Sequence, residues 1–382
     1  MSCRLVVLTE IIAPYRIPVF NAAAEREGID LHVIFLAETD PTLRQWQVYK
    51  EELRFSYEIL PSWRRRLGRY NILLNRGVAA ALQKAAPDAI LCGGYNYVAS
   101  WQCLRWARRQ RVPFLLWVES TANDSRRRHG LVESLKARYL RRCDGFVVPG
   151  KSSFEYVRSF GVAEGTIFTA PNAVDVEFFS CRAEAARKES ASLRSMLGLP
   201  SRFFLFVGRL VPEKGVFDLL QAYGTLAPEL RTEMGLVFVG DGVSRSELRR
   251  RAAAIRPGQV LIADFTQREQ LPSYYSLAEI VVFPTHTDTW GMVVNEAMAC
   301  ALPVIATSVA GCTADLVQDQ WNGFVVRSGD IVQLAKTMDR LARDAVLRSR
   351  MGEHSRERIA HYTPEACAEG VARAAFACTR HE

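Results

Sequence analysis

Glycine and charged residues meet in one segment near the middle of the chain, in a pattern suited to binding a diphosphate. The segment begins with Gly208-Arg209 and ends with Lys214-Gly215, directly after an apolar run. Gly208 allows a ligand to approach the backbone closely, and Arg209 and Lys214 bring two positive charges to one loop. A helix starting after this loop would add its N-terminal amide groups. The segment predicts a diphosphate site, although an ordinary surface loop with two cations has the same composition.

Two further segments combine glycine with carboxylates. Gly240-Asp241-Gly242 follows the next apolar run, and its glycines permit a tight turn. Asp288 precedes a predicted helix, and Glu296 lies more than a turn inside it. Carboxylates accept hydrogen bonds from hydroxyl groups such as those of sugars and riboses. Taken singly, Asp288 could instead cap the helix and Glu296 could be a solvated helix acid.

The apolar pattern indicates which elements position these segments. Short runs of branched and aromatic residues alternate with longer amphipathic stretches, which is typical of parallel sheets covered by helices on both faces. Strands are predicted over 4–8, 31–36, 89–91, 114–118, 145–148, 166–169, 203–207, 236–239, 260–262, 280–283, 304–306 and 324–326. The intervening helices include 73–84, 98–109, 131–142, 216–226, 245–254 and 290–300. Two Rossmann-like domains are therefore expected, with ligands at the carboxyl ends of their strands.

A polar stretch rich in Ala, Arg and Ser divides this alternation into two parts. It predicts a first domain over 1–176, a linker region over 177–200, a second domain over 201–363 and a final helical segment over 364–382. The two-domain division agrees with a typical domain size of roughly 150 residues.

Composition excludes several classes of protein. The chain is 49% hydrophobic and 24% charged, which is typical of a globular protein and not of a disordered one. Its nine cysteines are scattered and form no C-x-x-C pair, which favours reduced thiols in a cytoplasmic protein over disulfides or a zinc site. No apolar run approaches the roughly 18 residues that cross a bilayer.

The positive charge is confined to the first half. Residues 1–175 contain 25 Lys and Arg against 17 Asp and Glu, whereas the remainder has 24 of each. Clusters such as 63–66 and 105–111 combine arginine with tryptophan and suit an anionic membrane surface. Solvated helix faces are the alternative. Nucleic acid is not an expected partner, because no nucleic-acid-binding motif accompanies the charge.

Together, the three glycine and carboxylate segments resemble the family 4 retaining glycosyltransferases, which have the GT-B fold. That family has a G-R-x-x-x-x-K-G loop, a G-x-G loop and an E-x7-E pair before A-M-A-x-G-x-P-V. The chain matches these in order over nearly its whole length, and 171–178 resembles the family's N-G-V-D-x-x-x-F segment. It departs in two places, since Asp288 replaces the first glutamate and Ala301 replaces a glycine.

The resemblance implies an α/β architecture of two Rossmann-like domains whose parallel sheets face each other across a cleft, with the C-terminal helix crossing back to the first domain. Arg209 and Lys214 would bind the donor diphosphate and stabilise the departing charge, and Asp288 would belong to the same catalytic group. Glu296 would hold the donor ribose. The other implied donor-binding residues are Gly208, Gly240, Asp241, Gly242, Phe265, Gly291, Met292 and Val293.

The first domain is expected to bind the acceptor. Its loop over 12–18 resembles a P-Y-R-x-P variant found in bacterial members of surface-polysaccharide pathways. Glu119 ends a predicted strand and is a further catalytic candidate, although a salt bridge with a nearby arginine is the alternative for it, as a salt bridge is for Arg16. The residues predicted on the acceptor side are Tyr15, Arg16, Tyr95 and Asn96.

The implied activity is retaining transfer of a hexosyl group from a nucleotide-sugar, with UDP-sugars favoured over GDP-sugars. The expected acceptor is lipid-linked or a growing surface glycan. Neither a cofactor nor a metal ion is expected. The protein is expected in the cytoplasm, and the hypothesis drawn from its arginine and tryptophan clusters is that the basic first domain docks it peripherally at the inner face of the cytoplasmic membrane. Two alternatives stay open, namely a sugar-nucleotide epimerase of the same fold and a non-enzymatic module that binds polyanions.

Overall fold

The structure is a computed structural model that describes residues 2–40, 45–67, 70–123 and 130–379. It divides into two compact units. The first contains the described residues up to Ala173, apart from Asn123, together with the final helix, and the second contains Asn123 and Val174–Thr363. Among the described residues, no helix is both long and apolar enough to span a bilayer.

The first unit is a seven-stranded parallel sheet in the order β3-β2-β1-β6-β7-β8-β9, beside a two-stranded antiparallel hairpin, β4–β5. The strands are β1 (Cys3–Thr9), β2 (Ile29–Phe35), β3 (Ser56–Ile59), β4 (Ser62–Leu67), β5 (Tyr70–Asn75), β6 (Ala89–Cys92), β7 (Phe114–Trp117), β8 (Gly145–Val148) and β9 (Ile167–Thr169). The helices are α1 (Ile17–Ala24), α2 (Val78–Ala85), α3 (Val98–Gln110), α4 (Gly130–Leu140) and α5 (Lys151–Arg158). Apolar side chains on both faces of the sheet form two buried clusters, as expected for strands covered on both sides.

The second unit is a six-stranded parallel sheet in the order β12-β11-β10-β13-β14-β15. Its strands are β10 (Phe203–Val207), β11 (Gly235–Val239), β12 (Val260–Ala263), β13 (Ile280–Phe283), β14 (Val304–Thr307) and β15 (Gly323–Val326). Its helices are α6 (Val176–Lys188), α7 (Ser190–Leu197), α8 (Val216–Thr225), α9 (Pro228–Glu233), α10 (Arg245–Ala252), α11 (Leu271–Leu277), α12 (Met292–Ala299), α13 (Thr313–Leu316), α14 (Ile331–Arg343) and α15 (Ala345–Ile359). The predicted fold class, α/β with two parallel-sheet Rossmann-like domains, is confirmed.

The last helix, α16 (Pro364–Thr379), packs in the first unit against α1 and the end of the sheet at β9. Gly370 permits this close packing, since a Cβ atom there would lie 2.3 Å from the carbonyl oxygen of Thr169.

The stretch 177–200, predicted as a linker region, differs in the structure. It is helical over most of its length, as α6 and α7, and belongs to the second unit. Phe179, Ala183 and Ala186 are buried at i, i+4 and i+7 spacing, so α6 has a core-facing stripe. The carboxylate of Asp175 caps α6 by accepting a hydrogen bond from the Phe178 N–H at 2.9 Å. Two of the three buried residues are alanines, whose small side chains give only a weak apolar signal. The polar composition of the stretch therefore predicted a linker and not a helix.

The sequence pattern also misses β3 and the hairpin, and it predicts a helix over 73–84 that the structure divides. Leu73 is buried and Leu74 is exposed, which is the alternation of a strand. Gly77, with a φ of +83°, precedes the helix α2, which begins at Val78. The apolar run over 72–74 fits either periodicity, so local pattern alone could not distinguish strand from helix.

Candidate functional site

The order of the strands brings two of the three predicted segments together. In the second sheet the order reverses between β10 and β13, and their carboxyl ends are neighbours. The loop after β10 carries Gly208–Gly215, and the loop after β13 leads to Asp288 and the helix α12. Ligands of such sheets bind at this reversal point. The fold therefore places these two segments where a ligand is expected.

The strongest contact at this point joins Lys214 to Asp288. The Lys214 ammonium lies 2.5 Å from the Asp288 carboxylate oxygen Oδ2, and both side chains are largely buried. The same nitrogen is 3.4 Å from the Thr287 carbonyl oxygen. Arg209 is exposed and makes no ion pair with any carboxylate in the described parts of the chain. Of the two predicted cations, one is therefore held by a carboxylate and the other is open to solvent.

Gly215 has a packing role that the sequence did not reveal. Its φ is +68°, and a Cβ atom there would lie 2.0 Å from the Pro284 carbonyl oxygen in the loop after β13. The two loops are also linked by hydrogen bonds from the His286 N–H, at 2.8 Å, and the Thr285 hydroxyl, at 3.1 Å, to the Glu213 carbonyl oxygen. Glycine is thus required here for contact between two loops, which in turn positions Lys214 beside Asp288.

The two glycine-rich loops after β10 and β11 lie directly against each other. The Gly208 N–H donates to the Val239 carbonyl oxygen at 3.0 Å, and the Leu210 N–H donates to that of Asp241 at 2.8 Å. Gly240 has a φ of +144°, and a Cβ atom on it would lie 2.0 Å from the Gly208 carbonyl oxygen. The glycines predicted as ligand contacts therefore also allow the loops to pack.

This packing predicts the effect of Gly240→Ala. Strain at positive φ and a clash with rigid backbone should together destabilise the protein by about 2–4 kcal/mol. Gly329→Ala is the matched control, because Gly329 also has a positive φ, +79°, but no atom lies within 4 Å of the point that a Cβ atom would occupy there. Thermal melts should show a clearly larger loss for Gly240→Ala, and equal losses would contradict the packing role.

Asp241 and the loop after β12 are connected by an arginine that sequence analysis did not select. Arg245, in the first turn of α10, forms an ion pair with Asp264 and lies 3.6 Å from the Asp241 carboxylate. Phe265 follows Asp264 and is exposed. Asp241 also accepts a hydrogen bond from the Gly242 N–H at 2.8 Å. In this structure Asp241 shapes its own loop, and Phe265 presents an open aromatic ring at the neighbouring strand end.

Glu296 lies inside α12 and is held by a tyrosine. The Tyr275 hydroxyl donates a hydrogen bond of 2.6 Å to Glu296 Oε2. Burial raises the pKa of Glu296 to about 7, because it disfavours the charged carboxylate, and the hydrogen bond from Tyr275 only partly opposes this effect. Tyr275 was not predicted, since a tyrosine in an amphipathic helix gives no local signal of such a contact.

The start of α12 lies beside this carboxylate. Gly291 precedes the helix with a φ of +110°, and a Cβ atom there would lie 2.6 Å from the Phe283 ring. Met292 and Val293 form the first turn and are half-buried. The first amide groups of a helix have no acceptor within the helix. They are suited to oxygen atoms of a phosphate or a sugar, as the resemblance predicts.

In the first unit, Arg16 and Glu119 are brought together although 103 residues separate them. Arg16 follows β1 and Glu119 follows β7, and their side chains form an ion pair. The Arg16 guanidinium carbon also lies 4.0 Å from the centroid of the Trp117 ring. Burial disfavours the charged guanidinium, but the Glu119 carboxylate together with Tyr15 and Cys367 more than offsets this effect, so the pKa of Arg16 is raised. Arg16 and Glu119 therefore form the salt bridge that the sequence offered as their alternative role. A catalytic role for Glu119 stays a prediction.

Unpartnered polar atoms lie near this ion pair. Arg16 Nη1, Trp117 Nε1 and Thr121 Oγ1 are buried and make no hydrogen bond within the described part of the chain. A buried polar group without a partner costs about 1–3 kcal/mol. Such groups mark a place where a ligand oxygen would be favourable. Only the fold shows that the polar atoms of Trp117 and Thr121 lack partners.

The other predicted acceptor residues occupy loops at the same sheet edge. Tyr15 packs against Trp46 with ring centroids 6.1 Å apart, and Tyr95 packs against Tyr139 at 6.0 Å. Asn96 is exposed in the loop after β6. Tyr15 and Tyr95 therefore have aromatic packing contacts of their own, and Asn96 is the more accessible group.

The described residues contain no cluster of three or more His, Cys, Asp and Glu side chains that could hold a metal ion. That the protein needs no metal stays a prediction.

Comparisons with known proteins agree with this architecture. Residues 21–178 match the model of Glycosyltransferase Family 4, and residues 194–358 match that of Glycosyl transferases group 1. The chain is 31% identical over 209 residues to a D-inositol 3-phosphate glycosyltransferase of Xylanimonas cellulosilytica, covering 53% of this chain and 49% of the relative. It is 35% identical over 182 residues to an alpha-D-kanosaminyltransferase of Streptomyces kanamyceticus, covering 47% and 46%.

The chain thus spans about half the length of these curated relatives. Among solved structures, Anabaena HepE in complex with UDP matches 99% of this chain and 100% of its own, with a TM-score of 0.74 and 17% identity. That likeness concerns the fold. The two family models match separate parts of the chain, one on each of the two Rossmann-like domains, so the chain carries glycosyltransferase domains of the family 4 type, in the GT-B fold.

Proposed function

We propose that this protein is a glycosyltransferase that moves a sugar from a nucleotide-sugar to a hydroxyl acceptor. The observation that carries this proposal is the Lys214–Asp288 contact at the reversal point of the second sheet, flanked by glycine-rich loops and by the start of α12. This arrangement offers positive charge for a diphosphate, amide groups for its oxygens and carboxylates for hydroxyl groups. All of these lie at the carboxyl edge of the second sheet.

A UDP-sugar is the favoured donor, with a GDP-sugar as the second choice. Support comes from the Anabaena protein of the same fold, which was solved with UDP and with UDP-glucose. In this proposal Arg209 and Lys214 bind the diphosphate, Glu296 accepts hydrogen bonds from the ribose, and Phe265 stacks near the base. The group that we propose is transferred from the donor is a hexosyl group, as the resemblance implies.

The proposed reaction retains the configuration at the anomeric carbon. The bond from this carbon to the diphosphate oxygen breaks, and the acceptor oxygen bonds to the same face of the sugar. Because the acceptor attacks on the face that the diphosphate leaves, no protein nucleophile is needed, and the acceptor proton passes to the departing diphosphate. Arg209 and Lys214 stabilise the negative charge that develops on the diphosphate. The protein contributes mainly position and charge to such a step.

The proposed acceptor is lipid-linked or a growing surface glycan, reached from the cytoplasmic side of the membrane. The excess positive charge of the first half of the chain supports this acceptor class. A small phosphorylated polyol is the competing acceptor, because one relative is named for D-inositol 3-phosphate. The Arg16 guanidinium and the unpartnered atoms beside it would suit oxygens of either acceptor.

A thermal-shift panel with UDP, GDP, ADP and CMP tests the donor site. A ligand of the folded state at roughly 100 times its dissociation constant adds about 2.7 kcal/mol of stability. We expect UDP to give the largest shift. UDP-sugars should then release UDP when a glycan acceptor is added, and NMR of the product should show the anomeric configuration of the donor.

Other results of these assays would support one of the two alternative functions, the epimerase or the polyanion-binding module. A new sugar-nucleotide formed without acceptor and without UDP release would indicate an epimerase. A protein that no nucleotide stabilises, but that binds polyanions with a steep salt dependence, would be a binding module.

A further inference from the structure

We propose that the outer face of the β4–β5 hairpin docks the first unit onto an anionic membrane surface. This face, the hairpin face, consists of Trp63, Arg65, Ile72 and Leu74. The inference goes beyond glycosyl transfer, because it concerns where the protein binds and not what it catalyses. It rests on the register of the hairpin, the anchoring of its opposite face and the surrounding charge.

The register places the four side chains on one side of the hairpin. Trp63 pairs with Leu74, and Arg65 pairs with Ile72. Directly opposed residues of an antiparallel pair share a face, and alternate residues along each strand do so too. Trp63 is 53% exposed and Leu74 is 41% exposed. Two large apolar side chains are thus held next to each other in solvent, with an exposed arginine one pair further along.

The opposite side of the hairpin is turned toward the protein. Arg64 forms an ion pair with the buried Asp40, and it lies 3.7 Å from the Glu10 carboxylate. Leu73 is 2% exposed within the apolar core. The Asn75 side chain donates a hydrogen bond of 2.5 Å to the Leu36 carbonyl oxygen. The arginine cluster that the sequence suggested for membrane contact is therefore divided, because Arg64 serves the interior while Arg65 faces outward.

These anchors place the hairpin at the carboxyl edge of the first sheet. Glu10 directly follows β1, and Leu36 directly follows β2. The loop that carries Arg16 begins at the same edge. A surface that bound the hairpin face would therefore lie on the side of the sheet where the acceptor residues are predicted. This position suits an acceptor that is itself attached to the membrane.

The charge around the hairpin favours an anionic bilayer as the partner. β4, β5 and the neighbouring α3 together contain six Arg and no Asp or Glu. β5 packs against α3, on which Arg105 and Arg109 are exposed. Each basic residue near an anionic surface adds to the electrostatic attraction. Tryptophan prefers the headgroup region, and leucine gains by insertion below it. A polyanion would use the arginines but would leave the apolar pair in water.

Vesicle sedimentation of the full chain tests this proposal. The probe is phosphatidylcholine vesicles with and without about 30% phosphatidylglycerol, in roughly 50 mM and 500 mM NaCl. We expect binding to the anionic vesicles at low salt, and at least about tenfold weaker binding to the neutral ones. The double variant Trp63→Ser/Leu74→Ser should lose about tenfold or more of the anionic binding. Arg65→Glu should lose a comparable part.

The matched control is Val332→Ser/Val346→Ser, which removes two exposed apolar side chains from the second unit. It should bind vesicles as the wild type does. Failure of the wild type to sediment with anionic vesicles would overturn the proposal, as would equal losses in the hairpin and control variants. Binding to heparin or RNA that exceeds vesicle binding and survives the hairpin variant would indicate a polyanion partner instead. The UDP thermal shift should be the same in all these variants, so this test is separate from that of the proposed donor site.

Discussion

Lys214→Ala is expected to weaken the stabilisation of the protein by UDP and to lower kcat by about 100- to 1000-fold. Lys214 is the largely buried cation at the reversal point of the second sheet, and it would contact the charge that develops on the leaving diphosphate. A hydrogen bond between charged groups also contributes about 1.5–3 kcal/mol to binding, so UDP affinity should fall by at least about tenfold. Titration of UDP by calorimetry and initial rates of UDP release measure the two effects.

The variant must be separated from simple loss of stability, because Lys214→Ala leaves Asp288 without its ion-pair partner. Lys214→Ala/Asp288→Asn removes both charges and should recover most of the lost thermal stability, but it should not recover UDP binding. Arg350→Ala, which removes an exposed cation on α15, should match the wild type in both assays. If the double variant binds UDP with wild-type affinity, Lys214 is not a diphosphate ligand.

Glu296→Gln is expected to stabilise the unliganded protein at high pH while weakening UDP binding. The pKa of Glu296 is raised to about 7 by burial, whereas that of an unfolded glutamate is about 4.3. At pH values between about 4.3 and 7, the carboxyl group is protonated in the folded state but ionised in the unfolded state. The wild type therefore loses stability as the pH rises through this range. Glutamine carries no charge and avoids this loss. The variant should be more stable than the wild type by up to about 3 kcal/mol at pH 8.

Chemical denaturation at several pH values between about 5 and 8.5, with and without UDP, measures this trade-off. The advantage of Glu296→Gln should shrink toward about pH 5, because there the wild-type carboxyl group is protonated and also neutral. UDP should stabilise the variant less than the wild type, since an amide accepts hydrogen bonds from ribose hydroxyls more weakly than a carboxylate. Glu353→Gln, an exposed acid on α15, is the control and should show neither effect. A stability difference that does not vary with pH would contradict the raised pKa.

The sequence indicates that Lys214 and Glu296 are important, but it does not indicate the residues with which they interact. Lys214 and Glu296 stand out in the sequence through their spacing from glycine and from Asp288. The ion pair with Asp288 and the hydrogen bond from Tyr275 do not, because the partners are 74 and 21 residues away. Their meeting depends on β13 lying next to β10 and on α11 and α12 both packing against α6. Strand order is a non-local property that no local periodicity encodes.

The acceptor side shows the same division. Arg16 and Glu119 each follow a predicted strand, so the sequence places both at the carboxyl edge of a sheet. Only the order of β1, β6 and β7 brings the two side chains into contact, and only burial shows that Trp117 and Thr121 have unpartnered polar atoms. The arginine cluster near Trp63 is a further case, since the pairing of β4 with β5 decides which arginine faces solvent.

By itself, the sequence determined the α/β class, the central strands, the glycine-rich loops and the family, because buried parallel strands need continuous apolar runs and tight loops need glycine. Tertiary structure decided that 177–200 packs as helices, that β4 and β5 form a hairpin, and which charges neutralise each other. Short or alanine-rich segments satisfy several local patterns equally well. For these segments, the free energy gained by burial against distant residues selects the conformation and, with it, the partners of each charged side chain.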